Sequence, residues 1–169
     1  MDLQKLKAKD LMTKRVVSIH FETSLQETLE TLSEEKISGA PVVDQEGKPI
    51  GVISLTDIAS YEVNKAPKPT SGQTSFYSIP ETEGLVGIED VEETGQLDEM
   101  LSTVPVVRAM TPTIFSVAPA TPIPQVAGRM VQERVHRILV TDKGKIVGLV
   151  SSLDILKAIA KAAKKPSKK

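Results

Sequence analysis

The chain repeats itself. Displaced by 98 positions, residues 12–19 (MTKRVVSI) fall on residues 110–117 (MTPTIFSV), Ile37 on Val135, Val42 on Val140 and Asp44 on Asp142. Passing over Glu46 shortens the displacement to 97. Gly47, Lys48, Gly51, Ser54, Asp57 and Ile58 then meet Gly144, Lys145, Gly148, Ser151, Asp154 and Ile155. Across residues 12–58 there are 13 identities, with apolar matched to apolar at most other core positions. Such self-similarity confines a chain to folds assembled from copies of one supersecondary unit.

Each copy reads as β-α-β-β-α. VVSI is a short β-branched strand. SLQETLETLSEEK carries Leu25, Leu29 and Leu32 at i, i+4 and i+7, one face of a helix. Ser24 with Glu27 makes a capping box at its start. GAPVVD, QEGK and PIGVIS read as strand, turn and strand, and LTDIASYEV opens a second helix. In the second copy Thr121 is expected to cap the helix with Pro122 as its first residue, and Val126, Met130 and Val131 to supply its apolar side. A helix lying on a thin sheet buries one face of each, so the expected class is α/β of the α+β kind. Two such repeats would pack sheet to sheet with pseudo-two-fold symmetry. The expected division is repeat one over 1–65, an acidic insertion over 66–103, repeat two over 104–163 and a basic tail over 164–169. The insertion is expected to be a solvated linker with a short helix near 88–101, or else a segment that docks a partner or covers a ligand. The lysines of the tail suit a frayed helix end.

Composition removes several classes of function. With 169 residues, no cysteine, two histidines and a formal net charge of −1, the chain has neither thiol chemistry nor the basic excess of a nucleic-acid-coating protein. Aromatic residues make up 3%, too few for extended base stacking. The first 20 residues are charged throughout and unlike a signal peptide, and no apolar run is long enough to span a membrane. A cytoplasmic protein is expected. There is no phosphate-binding glycine motif and no candidate catalytic or metal-ligating set, so an enzyme is not expected.

Both copies end a strand in Ser-x-x-Asp, as GVISLTD and GLVSSLD. Ser at the N-cap and Asp three residues on form a capping box at the start of the closing helix. Paired openings on MT, middles reading ISGAPVVD and VHRILVTD, and these two closings together resemble a tandem CBS-domain pair, the Bateman module, over about residues 8–62 and 104–163. No catalytic or DNA-binding domain is evident beside it, so the chain looks like the module alone. The resemblance implies a regulatory fold that binds adenosine-containing effectors (AMP, ADP, ATP or S-adenosylmethionine) in two clefts and dimerises into a flat disc. No cofactor is required.

Carried over by position, the resemblance gives one cleft Val17, Ile37, Ser38 and Gly39 with His136, Arg137, Ser151 and Asp154. It gives the other, weaker cleft Phe115, Val135 and His136 with Ser54 and Asp57. Chemistry allows the Asp a second role, since two carboxylate oxygens can accept from two neighbouring ribose hydroxyls. Arg137 can hold a phosphate by charge-assisted bonds; its counterpart Gly39 cannot. Plainer readings stand beside these: Val17 and Ile37 as core, His136 as a surface histidine, Arg137 as a surface ion-pair partner, and Lys14 and Arg15 as a solvated strand entrance. The functional expectation is a sensor that changes shape or partner affinity on binding an adenylate. It would act as a homodimer with a regulated protein partner not identifiable from the sequence, and without membrane or nucleic acid. The alternative is a ligand-independent dimeric scaffold.

Overall fold

The computed structural model describes residues 3–64, 76–77 and 100–163. In chain order the elements are α1 (Ala8–Leu11), β1 (Ile19–His20), α2 (Leu25–Glu34), β2 (Gly39–Val43), β3 (Pro49–Ser54) and α3 (Leu55–Asn64). The second set is β4 (Ser116–Val117), α4 (Ile123–Glu133), β5 (Arg137–Asp142), β6 (Lys145–Ser151) and α5 (Ser152–Ala163). Short 3-10 turns at Leu3–Lys5 and Val106–Arg108 precede the two sets. The result is a mixed α+β fold with two three-stranded sheets, ordered β1-β2-β3 and β4-β5-β6. In each sheet the first strand runs parallel to the second, and the last two form an antiparallel hairpin.

The change of displacement from 98 to 97 lies in the hairpin turn. In the second copy Lys143 and Gly144 both have positive φ, 49° and 79°, between the paired Asp142 and Lys145. That is the two-residue turn whose twist suits a hairpin. The first copy has a longer loop. There Asp44 Oδ1 accepts from the backbone N–H groups of Glu46 at 2.9 Å and Lys48 at 2.8 Å, and Gly47 takes the positive φ.

The chain forms two compact units, one from residues 17–113 and the other from residues up to 16 together with 114 onward. The stretches that repeat in sequence are therefore not the units that pack. Each copy's leading segment belongs to the other copy's unit, at equivalent positions. Thr13 bridges Leu149 while Thr111 bridges Val52, and Lys7 bridges Pro122 while Pro105 bridges Ser24. Met12 lies on Gly148, where a Cβ would sit 2.5 Å from its sulfur, and Met110 lies on Gly51, with the corresponding distance 2.7 Å. The MT pairs are thus packing residues, each closing the hairpin of the opposite copy.

The helix starts follow from the same exchange. Ser24 Oγ accepts from the Glu27 N–H at 3.1 Å, and the Glu27 carboxylate accepts from the Ser24 N–H at 3.2 Å, so the expected capping box is present. The Leu25 N–H donates to the Val104 carbonyl at 2.9 Å. In the second copy the expected Thr121 cap is displaced by one residue. Pro122 is extended and serves as the N-cap without a side-chain bond, and α4 begins at Ile123. The bridge to Lys7 holds Pro122 extended, and the Ile123 N–H donates to the Leu6 carbonyl at 2.9 Å. A backbone carbonyl from the exchanged segment there does the work expected of Thr121.

The core is aliphatic. Leu25, Leu32, Val42, Ile53 and Ile58 are buried in the first unit, and Val126, Met130, Ile138, Leu139 and Val150 in the second. Val131, expected on the buried side of α4, is instead 79% exposed, because Val126 and Met130 already define the inward stripe. Residues 100–103 are helical; the rest of the helix expected near 88–101, and the basic tail from 164, lie outside the described residues.

Candidate functional site

In each copy the last strand runs straight into the closing helix, with the Ser of Ser-x-x-Asp at the junction. The first helical N–H is taken by a carbonyl of the neighbouring strand's entrance: Leu55 donates to Ser38 at 3.1 Å, and Ser152 to His136 at 2.8 Å. The next orphan donor is met by the serine. Ser54 Oγ accepts from the Asp57 N–H at 3.2 Å and donates to Asp57 Oδ2 at 2.5 Å. Ser151 Oγ accepts from the Asp154 N–H at 3.2 Å and donates to Asp154 Oδ2 at 2.6 Å. Asp154 Oδ2 also accepts from the Ser151 N–H at 2.9 Å, completing a reciprocal box. Both copies therefore cap as the sequence predicts.

The surroundings differ. Ser54 and Asp57 are buried, at 0% and 2% exposure. Ser151 and Asp154 are half-buried, and Asp154 Oδ1 accepts no hydrogen bond from the described residues. Register places Arg137 opposite Ser151 and Gly39 opposite Ser54. Arg137, Ser151 and Asp154 thus gather at one end of the β5–β6 hairpin, with His136 exposed beside them. Arg137 is itself half-buried, and loss of hydration holds its guanidinium below the ordinary arginine value. A partly dehydrated cation of this kind is favoured by an anion that can replace the lost water.

In the first-copy unit, Val17 and Ile37 are half-buried, Ser38 is exposed and Gly39 is buried. Ile37 packs on the core, as the plainer reading expected. Gly39 has no room for a side chain, since a Cβ would lie 2.5 Å from the Ile53 carbonyl oxygen and 3.2 Å from Phe76 Cδ2. In the second-copy unit, Phe115 is half-buried and its carbonyl accepts from Leu139 at 3.0 Å, while Val135 is buried. Lys14 and Arg15 are exposed.

Sequence reasoning did not single out Phe76 and Tyr77, which lie at 2% and 0% exposure in the first-copy unit with their rings edge to face, 4.9 Å apart. Their signal was present: an adjacent aromatic pair in SFYS, within a stretch of loop composition, in a chain with five aromatic residues. Among the described residues no cluster of His, Cys, Asp or Glu could hold a metal ion, and no helix is long and apolar enough to cross a membrane.

The CBS domain model matches residues 8–64 and 98–161. The chain belongs to the CBS domain family. It carries the domain as a tandem pair, and the second match begins ahead of β4, taking in the segment exchanged onto the first copy. Among curated proteins it is 28% identical over 152 residues to an uncharacterized protein of Methanocaldococcus jannaschii, covering 89% of each chain. It is also 28% identical over 143 residues to the 5'-AMP-activated protein kinase subunit gamma of Dictyostelium discoideum, covering 83% of this chain and 21% of that subunit. Among solved structures it resembles CBSX2 in complex with AMP (22% identity, TM-score 0.64, 94% and 98% of the two chains). It likewise resembles the CBS domain pair of protein MJ0100, in complex with 5'-methylthioadenosine and S-adenosyl-L-methionine (20% identity, TM-score 0.63, 93% and 98%). At these identities the two structures bear on the fold.

Proposed function

We propose that this CBS pair is a regulatory module that binds an adenine nucleotide through its second copy and changes shape or partner affinity when it does. The observation that carries the reading is the Arg137–Ser151–Asp154 cluster. Asp154 spends one oxygen on the cap and keeps Oδ1 for a ribose hydroxyl. Ser151 lies beside it, and Arg137, disfavoured by its own burial, gains from a phosphate. The adenosine compounds held by CBSX2 and by the MJ0100 pair support the ligand class. AMP, ADP and ATP fit the cation better than S-adenosylmethionine, which brings a positive sulfonium of its own. The role is regulation rather than catalysis, and a chain without cysteine suits the cytoplasm.

The effector form is a homodimer in this reading. Leu153, Leu156 and Ile159 on α5 and Val131 on α4 are exposed. Their first-copy counterparts are Thr56, Ala59, Glu62 and Ser33. Among the described residues, four exposed apolar side chains on the helices of the second copy, against Leu55 on α3 of the first, favour a two-fold contact through the second copy.

Calorimetric titration with AMP and with adenosine tests the ligand reading. Arg137→Ala is expected to weaken AMP by about 1.5–3 kcal/mol, the range for hydrogen bonds to charged groups, and to leave adenosine nearly unchanged. Equal losses for both ligands would remove Arg137 from the site. No binding of either by the parent protein would favour the ligand-independent scaffold.

A further inference from the structure

Gly39 leaves a notch beside the Ser54–Asp57 box at the register position where the second copy carries Arg137. The Phe76 ring rests on that notch, 3.2 Å from where a Cβ on Gly39 would stand, and that Cβ would in turn lie 3.1 Å from Ser54 Cα. Tyr77 is fully buried beside it, its hydroxyl donating to the Thr113 carbonyl at 3.3 Å. All these residues belong to one compact unit. They come from separate parts of the chain: the pair from the stretch between the repeats, the notch from β2 and β3, and Thr113 from the lead into the second copy.

We propose that Phe76–Tyr77 is an internal occupant of the first-copy site, an aromatic pair of the chain's own that closes Ser54–Asp57 to small ligands. Three observations converge on it. A carboxylate that is 2% exposed cannot receive a ligand hydroxyl unless something moves. A ring from elsewhere in the same unit lies against Gly39, where the Ile53 carbonyl and Ser54 Cα leave no room for a side chain of its own. The pair itself is buried although it arises from a strongly polar stretch of sequence, so it contributes apolar surface that the chain would otherwise leave in water. The consequence is one ligand per chain rather than two, a stoichiometry that rests on the adenylate reading; the occupancy itself does not.

The test has an arm that needs no ligand. The chain has two tyrosines and no tryptophan, so Tyr61→Phe leaves Tyr77 as the sole fluorophore. Acrylamide quenching of that variant is expected to be several-fold weaker when folded than in denaturant; equal quenching in both overturns the proposal. In the second arm adenosine is titrated into the parent chain and into Phe76→Ala/Tyr77→Ala. The expected stoichiometry rises from one to two per chain. Two equivalents in the parent, or an unchanged single equivalent in a variant that keeps the parent's circular dichroism, overturns the closure. A shielded Tyr77 in a chain that binds neither adenosine nor AMP upholds the occupancy and defeats the adenylate reading.

Discussion

The boxes at Ser54–Asp57 and Ser151–Asp154 agree to 0.1 Å in their shared hydrogen bonds, 2.5 against 2.6 Å between the side chains and 3.2 Å in both for the backbone contact. Yet one is buried and the other stands half-open beside a cation. These two shared bonds, being equal, do not distinguish the copies. The residue across the hairpin differs: Gly39 has an aromatic ring against it, whereas Arg137 brings a half-buried positive charge. One duplicated motif is therefore a buried helix cap in the first copy and a half-open one in the second, where we propose that it forms the polar half of a ligand site.

The difference is largest at position 39. Gly39→Ala puts a Cβ 2.5 Å from the Ile53 carbonyl oxygen, backbone that cannot swing aside. We expect about 3 kcal/mol of destabilisation, the upper part of the usual overpacking range, read as a lower urea midpoint at unchanged slope. Arg137→Ala at the matching position should leave the midpoint close to the parent's. A harmless Gly39→Ala would mean that the two hairpins are equivalent after all.

The exposed apolar side chains of α5 carry the next contrast. Leu156→Asp is expected to weaken the proposed homodimer by about 2 kcal/mol or more, as for a central interface residue, and light scattering should show the monomer at concentrations where the parent is paired; a parent that is itself monomeric would remove the dimer. Ala59→Asp, at the equivalent first-copy position, should not change the mass. Equal effects would place both copies in the interface.

Smaller differences are expected at the helix starts. Ser24→Ala removes a side-chain cap and should cost about 1 kcal/mol. Pro122 makes no side-chain bond, so Pro122→Ala should lower the melting temperature less than Ser24→Ala does. The reverse order would show that α4 depends on its proline more than on the Leu6 carbonyl.

How much of this could be read from the sequence follows from what a repeat can and cannot encode. The two copies, their element order and both Ser-x-x-Asp caps were legible, because hydrophobic period and capping chemistry are local. The exchange of leading segments was not, since MT precedes a strand in both copies and nothing local says whose hairpin each methionine covers. The displaced cap at Pro122 has the same origin: its partner is the carbonyl of Leu6, remote in sequence. Val131 was assigned to the buried side beside Val126 and Met130, but the stripe the helix buries is Ile123, Val126 and Met130. Charge contrast between Arg137 and Gly39 was visible at once. That Gly39 is a notch filled by Phe76 was not, because the ring arrives from outside the repeat.

The two aspartates, exchanged one at a time for asparagine, bring the account to its most direct test. Asn keeps the size and much of the capping ability of Asp. AMP is titrated calorimetrically into Asp57→Asn, Asp154→Asn and the parent, and each is melted without ligand. Asp154→Asn is expected to lose about 1–3 kcal/mol of AMP affinity and to melt near the parent. Asp57→Asn should bind AMP like the parent but lose about 1.5 kcal/mol of stability, the lower end for a buried hydrogen bond to a charged group. An Asp57→Asn that damages AMP binding while Asp154→Asn does not would contradict the assignment of the ligand to the second copy.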